Sequence, residues 1–336
     1  MAQTISELRT VLDGDTPPAG LADADLLELY RRMVLLRTFD ERAVVFHRQG
    51  RIGTYAIAWN HEAIQAGATY ALGADDWIFP TYRESPIGLV RGLPVATVLQ
   101  WWRGHPSGWW DPREWKLASI CVPVATHVPH AAGLAWGLKL KRDPGVAIVF
   151  FGDGATSEGA FHEGVNFAGV MEAPLVLICN NNGWAISTPV SAQTHAAALV
   201  DKAAGYGIPG VRVDGLDVLA VYEAAREAVE RARGGGGPTF IEAVHYRAAP
   251  HATADDPRAY IDLERVEEER RRECVGRYEA FLRRLGVIGD EEVEAVRLAA
   301  ETALREGIAA AEAEPPPDPG LVFEYAYAAP PDGLRG

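Results

Sequence analysis

The stretch Val146–Asn182, VAIVFFGDGATSEGAFHEGVNFAGVMEAPLVLICNNN, decides the fold. It opens and closes on short apolar runs, Val146–Phe151 and Leu175–Cys179. Between them a Gly-rich turn leads into a segment of helical character, about Ser157–Met171. Runs this short and bounded by Gly or Pro read as strands, and two strands joined by a helix form a βαβ unit. Neither run alternates with polar residues, so both are buried on two faces, which implies a parallel sheet covered by helices. The same alternation extends outward. A helix over His130–Lys141 precedes the unit; a helix over Ala196–Tyr206, a strand over Gly210–Val213, a helix over Val218–Arg233 and a strand over Thr239–Tyr246 follow it. The predicted fold class is α/β, a doubly wound parallel sheet flanked by helices, with helical extensions at both ends.

The flanks are mostly helical. Leu26, Leu29, Tyr30 and Met33 recur at helical spacing behind Asp23 and Asp25, acids suited to a helix start. Asn60–Ala71 reads as a second helix, and Ser85–Trp102 as a helical pair interrupted near Gly92 and Pro94. Five of the nine Trp fall within Trp101–Trp115, which overlaps a loop over Gly104–Lys116; a packing cluster or a subunit contact explains them better than a ligand cage. After Tyr246 the segment Arg247–Tyr260 has no periodicity, and two long charged helices follow near Leu263–Leu285 and Asp290–Ala313. A tail with Phe323, Tyr325 and Tyr327 is expected to dock on this chain or a partner. The expected division is a helical arm over 1–50, a ligand-binding α/β domain over 51–260, and helices and tail over 261–336.

With 336 residues and a net charge of −14, the chain can bury a core and is poorly suited to nucleic acid or an anionic membrane. Cys121, Cys179 and Cys274 are odd in number and form no CxxC, so neither a disulfide framework nor a zinc site is expected. The start lacks a basic region followed by an apolar run, and no apolar run approaches the ~20 residues that span a bilayer. The expected location is the cytoplasm.

Gly152-Asp153-Gly154 ends the first strand, and Asn181-Asn182 ends the second after 26 intervening residues. In a parallel βαβ unit both ends open onto one edge of the sheet, where such folds bind ligands. Asp153 and Asn182 therefore offer two hard oxygen ligands to one cation. Mg²⁺ prefers six oxygens and completes its shell with phosphates and water. The glycines allow close backbone approach, and a helix beginning near Ser157 aims free N–H groups at a phosphate. The chemistry implied is Mg²⁺-bridged diphosphate binding.

GDG followed at this distance by NN resembles the signature of the thiamine-diphosphate enzymes. RTFDE (37–41), FPTYRE (79–84), PVATHVP (123–129), GDGATSEG (152–159), NNGWAISTP (181–189) and PHATADDP (250–257) extend the likeness over nearly the whole chain. Together they resemble the alpha subunit of the decarboxylating first component of 2-oxo acid dehydrogenase complexes. The resemblance implies that Asp153, Asn182 and the backbone carbonyl of Trp184 hold Mg²⁺. It implies that Tyr82 and Arg83 hold the diphosphate, that Gly152, Gly154 and Ala155 approach the phosphates, and that Val122 and Val124 contact the aminopyrimidine. His251 would face the cofactor and assist acyl transfer, with Arg247 anchoring its loop to phosphate. From the residues alone, Arg83 could instead pair with Glu84, and His251 could be an exposed loop histidine. His162 and His245 read as ordinary residues of a helix and a strand.

The chain also departs from the family pattern. Ala252 and Ala254 stand where serines are common, leaving Thr253 as the loop's hydroxyl; Asn180 replaces a frequent Arg, His61 a frequent Gln, and the loop over His105–Trp115 is short. The expected cofactors are thiamine diphosphate and Mg²⁺. The expected partners are a transketolase-like beta subunit that supplies the activating Glu in an α₂β₂ heterotetramer, a lipoyl-bearing dihydrolipoyl acyltransferase, and a small 2-oxo acid. The PVAT and HATADDP stretches favour 2-oxoisovalerate over pyruvate, with acetoin cleavage a weaker third. A nucleotide-binding oxidoreductase would carry GxGxxG after an early strand, and none follows one here; a non-catalytic scaffold would not need the retained ligands.

Overall fold

The structure is a computed structural model that describes residues 4–321 and 327–329. Six parallel strands form the central sheet: β1 (Thr4–Arg9), β2 (Trp77–Phe79), β3 (Ala147–Gly152), β4 (Leu175–Asn181), β7 (Gly210–Asp214) and β8 (Thr239–Val244). β5 (Trp184–Ala185) and β6 (Thr188–Pro189) make a separate antiparallel hairpin. The order is β1-β7-β8-β4-β3-β2: β2, β3 and β4 run inward from one edge, and the chain then crosses over to β7 and β8 on the other side of β4, as a doubly wound sheet does.

Alternate residues of the central strands feed two cores. Ile148, Phe150, Val176, Ile178 and Ile241 face one side, where helices over Glu62–Tyr70 and Val218–Arg233 pack. Val149, Phe151, Leu177, Cys179 and Phe240 face the other, under helices over His127–Lys141 and Gly159–Met171. This two-sided burial is why the strand sequences do not alternate. A third cluster joins the long N-terminal helix, Asp23–Arg48, to helices over Cys274–Arg284 and Asp290–Ala313.

Several boundaries differ from expectation. The sequence reading missed β1 and the three-residue β2. The helix expected over Ala196–Tyr206 is only a 3-10 turn, Leu199–Asp201, and one helical turn, Lys202–Gly205. The helix expected over Leu263–Leu285 is two, Leu263–Arg270 and Cys274–Arg284, because Glu273 caps the second by accepting from Val275 N at 3.0 Å. Trp110 and Trp115 pack against the core and Trp102 lies edge-on to Tyr55, which agrees with the packing reading of that loop. Phe323 and Tyr325 lie outside the described residues; Tyr327 is exposed. Among the described residues no helix is long and apolar enough to cross a membrane.

Asp217 shows how the sheet is fastened at its β1 side. One oxygen caps the helix Val218–Arg233 through Leu219 N and Ala220 N, at 3.1 and 2.9 Å, and the other accepts from Val11 N and Leu12 N, at 2.6 and 2.7 Å. Asp217→Ala removes a cap and leaves two further donors without a partner, so it is expected to cost ~2–4 kcal/mol. Urea unfolding checks this through the midpoint at constant slope; an unchanged midpoint would remove the carboxylate from this fastening role.

Candidate active site

The parallel register brings the chemistry-bearing segments to one edge. Gly152 pairs with Asn180 and Asn181 with Val244, so the ends of β3, β4 and β8 are level. Thr81, just past β2, bridges to Cys121 and draws Val122–Ala125 to the same edge. Among them lies a cavity of about 200 Å³. Tyr82, Arg83, Val122, Val124, Gly152, Asp153, Gly154, Ala155, Asn182, Trp184 and His251 all line it. Thr81, Glu84, Cys121, Asn180, Glu158 and Ile186 complete much of the wall.

Asp153 is 1% exposed, and burial pushes its carboxyl up from the usual range. It forms no ion pair among the described residues; its side-chain partner is Gln193, whose Nε2 donates to Oδ2 at 2.7 Å. Asn182 Oδ1 accepts from Trp184 N at 3.2 Å, while its Nδ2 lies 3.4 Å from His61 Nε2. Among the described residues no three His, Cys, Asp or Glu side chains form a metal cluster. The expected donor set has another composition: one carboxylate, one amide and one carbonyl. Such hard oxygens suit Mg²⁺ when phosphates and waters supply the remaining positions. The backbone around them is tight. A Cβ on Gly154 would come within 2.7 Å of the Ala185 methyl, so glycine is what permits the turn to approach the hairpin.

Arg83 is the cavity's cation. It is 6% exposed, and its guanidinium donates to Ile57 O, to His251 O at 3.1 Å, and to His251 Nδ1 at 3.1 Å. The alternative pairing with Glu84 is not made. Glu84 instead accepts from Thr81 and, at 2.5 Å, from Asn180 Nδ2. A buried guanidinium whose hydrogen bonds all go to neutral acceptors, with the Glu84 carboxylate near but not paired to it, is suited to receive an anion. Accepting from Arg83 fixes His251 Nδ1 as the unprotonated nitrogen, so the neutral ring carries its proton on Nε2. Burial, with Arg83 and Arg247 nearby, lowers the His251 pKa to about 4. The loop bearing it is anchored: Asp255 accepts from His251 N at 2.8 Å, and Thr253 exchanges hydrogen bonds with the Tyr55 backbone at 2.8 and 3.0 Å. Thr253's hydroxyl thus serves the loop's own architecture.

Two expectations need correction. Arg247 does not line the cavity. It is fully buried, and its guanidinium holds the carbonyls of Trp184 (3.3 Å), Ile186 (2.6 Å) and Ala249 (3.2 Å) and the Tyr260 hydroxyl (2.9 Å). It therefore clamps the hairpin rather than reaching for phosphate. The helix expected from Ser157 begins at Gly159, behind a 3-10 turn over Asp153–Ser157. The residues that this turn brings to the cavity wall include Asp153, Gly154 and Ala155. Sequence reasoning also missed Glu84, Gln193 and the His61–His245 ring pair, whose centroids are 4.4 Å apart. The departure from Gln at His61 was the one available signal.

The family model described as Dehydrogenase E1 component matches residues 30–320. The 3-methyl-2-oxobutanoate dehydrogenase subunit alpha of Mycobacterium tuberculosis is 42% identical over 318 residues, 94% of this chain and 86% of the relative. The pyruvate dehydrogenase E1 component subunit alpha of Staphylococcus aureus is 40% identical over 293 residues, 87% of this chain and 79% of its own length. That of Staphylococcus epidermidis is 41% identical over 301 residues, covering 89% and 81% respectively.

The buried histidines make a pH prediction. His245 is lowered to about 3 by burial and the two neighbouring arginines, and burial holds His61 well below its usual value. Unfolded imidazoles protonate near pH 6.5, whereas these do so only well below that. Their contribution to stability is therefore full above pH 6.5 and lost as pH falls from there through about 3, where His245 protonates in the folded chain. NMR titration is expected to find His251 neutral to about pH 4, and Arg83→Gln should raise its pKa. A His251 midpoint near 6.5 in the native chain would contradict the Arg83 contact.

Proposed function

This chain belongs to the dehydrogenase E1 component family, as an alpha subunit of a 2-oxo acid dehydrogenase, and we propose that it acts on a branched-chain 2-oxo acid of the 2-oxoisovalerate type. The observation that carries the reading is a charge pattern. The cavity holds a buried cation, Arg83, and a buried carboxylate, Asp153, neither in an ion pair among the described residues, while the second buried carboxylate, Glu84, is engaged by Thr81 and Asn180. An anion bridged to a divalent cation satisfies both, and Mg²⁺ with thiamine diphosphate, the family's cofactor, has that composition. When bound, the cofactor supplies the electron sink that lets the carboxylate of a 2-oxo acid leave as CO₂.

The chain's own residues take separable roles. Asp153, Asn182 and the Trp184 carbonyl would hold Mg²⁺, while Tyr82, Arg83 and the N–H groups of Gly154 and Ala155 would hold the diphosphate. Val122 and Val124, 56% and 47% exposed, would contact the cofactor's ring portion. His251 would move a proton at Nε2, since Nδ1 is tied to Arg83. Glu84 is engaged by Thr81 and Asn180, and the family resemblance implies that the Glu that activates the aminopyrimidine would come from a beta subunit in an α₂β₂ assembly. That assembly would deliver its acyl group to a lipoyl-bearing dihydrolipoyl acyltransferase. All three cysteines are free thiols, which fits a reducing compartment such as the cytoplasm.

The branched-chain relative at 42% identity, and the PVAT and HATADDP stretches, support 2-oxoisovalerate; the relatives at 40–41% keep pyruvate as the second reading. Pockets that differ by a methylene or two discriminate by only ~1–3 kcal/mol, so kcat/KM for the two acids in the reconstituted enzyme decides between them. A higher value for pyruvate would overturn the branched-chain reading. The alpha chain alone is expected to show negligible decarboxylase activity, and full turnover without a partner would refute the shared site. Asp153→Ala should abolish Mg²⁺-dependent thiamine diphosphate binding to the assembly by calorimetry; unchanged binding would refute the metal assignment.

A further inference from the structure

We propose that Gln193 is a positioning residue of the divalent-cation site, holding the Asp153 carboxylate and the Trp184 hairpin in one register for Mg²⁺. The inference rests on the cation reading above and assigns it a further residue. Gln193 lies just past the 3-10 turn Val190–Ala192, with its N bonded to Val190 O at 2.9 Å. Its amide nitrogen has two protons, and both are used. One goes to Asp153 Oδ2 at 2.7 Å and the other to the Thr188 carbonyl at 3.1 Å.

Those two acceptors lie on different parts of the site. Asp153 begins the turn after β3, whereas Thr188 pairs with Ala185 in the hairpin that presents the Trp184 carbonyl. A single planar amide therefore fixes the separation between two of the three expected donors. The Gly154–Ala185 contact brings the same two segments together but, being apolar, gives the carboxylate no direction. Holding Oδ2 from the protein side orients the carboxylate for the cation, the arrangement by which outer partners tune metal ligands.

The chemistry of the residue fits this task. A Lys or Arg here would neutralise Asp153 and compete with the incoming cation, while a neutral amide leaves the charge for the metal. The remaining polar atom, Gln193 Oε1, is buried without a hydrogen-bond partner. A water in the cation's shell has the proton this oxygen lacks, and Mg²⁺ characteristically retains several waters.

The test uses Gln193→Met, which keeps the side-chain volume, and Gln193→Ala, each in the chain assembled with its beta subunit. Mg²⁺ is titrated calorimetrically at saturating thiamine diphosphate, and turnover is followed against Mg²⁺. Both variants are expected to bind Mg²⁺ roughly 10–100-fold more weakly, with kcat at saturating Mg²⁺ within about twofold of the parent. Unchanged Mg²⁺ affinity would overturn the proposal. So would a loss of kcat that excess Mg²⁺ does not restore, because that is the signature of a merely structural staple. If the unsubstituted assembly shows no Mg²⁺-dependent cofactor binding, the reading of the site itself falls, an outcome distinct from failure at Gln193.

Discussion

The parallel pairing of β3 with β4 is the constraint on which the rest depends. Both strands are buried on both faces, with Phe150 and Ile178 in one core and Phe151 and Cys179 in the other. A slip of one residue would exchange these sets between helix layers of different shape, so the register is strongly specified. Fully burying a large apolar side chain contributes about 1.5–3 kcal/mol, and several such residues act together here. The register then sets where the strands end. Gly152 and Asn180 are level, and the first residues released from the ladder include Asp153 and Asn182. The site's geometry follows from apolar packing that lies below it.

Above that edge the problem becomes electrostatic. Arg83 is positioned by neutral groups, and the first of them, Ile57 O, belongs to a segment that is itself held from behind. Asp40 accepts from Tyr55 Oη at 2.8 Å and from Ala58 N at 2.6 Å. Arg37 pairs with Glu62 at 2.6 Å and Glu273 at 2.9 Å, and Cys274 donates to Glu62 at 3.1 Å. In this rear layer the buried charge of Arg37 is compensated by Glu62 and Glu273, whereas Asp40 has only neutral partners and burial pushes its carboxyl up to about 7. In the cavity, neither Arg83 nor Asp153 forms an ion pair among the described residues. RTFDE thus serves the fold, Arg37 through its ion pairs and Asp40 by fastening the Tyr55–Ala58 segment behind Arg83.

The legible parts of the sequence were those whose physics is local. The helix Val218–Arg233 reads correctly because Asp217 caps it and its apolar residues keep helical spacing; Asp290–Ala313 reads correctly through its acidic first turn and the same spacing. β2 escaped because three residues ending at Pro80 carry no periodicity, and its strand identity comes from pairing with β3. The break at Arg271–Glu273 was hidden in a charged stretch without Gly or Pro. At the site, GDG and NN were legible because each motif is contiguous. Gln193 and Glu84 were not, since their partners Asp153 and Asn180 lie 40 and 96 residues away in sequence. Arg247 was read as a phosphate ligand because sequence gives a residue's charge but not the direction of its side chain.

Arg247's actual role bears on the mouth of the cavity. Ile186 has φ of 56°, a left-handed conformation that a β-branched residue adopts only when its surroundings impose it. Ile186 is the first residue of the two-residue loop between β5 and β6, where such hairpins take positive φ; Arg247 holds its carbonyl, and the same guanidinium holds the Trp184 carbonyl. Ile186 is thereby left 56% exposed beside Val122 and Val124, an apolar rim around a polar floor. A chain with a net charge of −14 has ample polar residues to cover such a rim, yet maintains it at the expense of backbone strain. The strain makes sense if the rim is completed from outside. On the proposed reading, one buried arginine would serve the phosphate end while a second fixes the hairpin, and the apolar mouth would be left for the ring portion of the cofactor and a partner subunit.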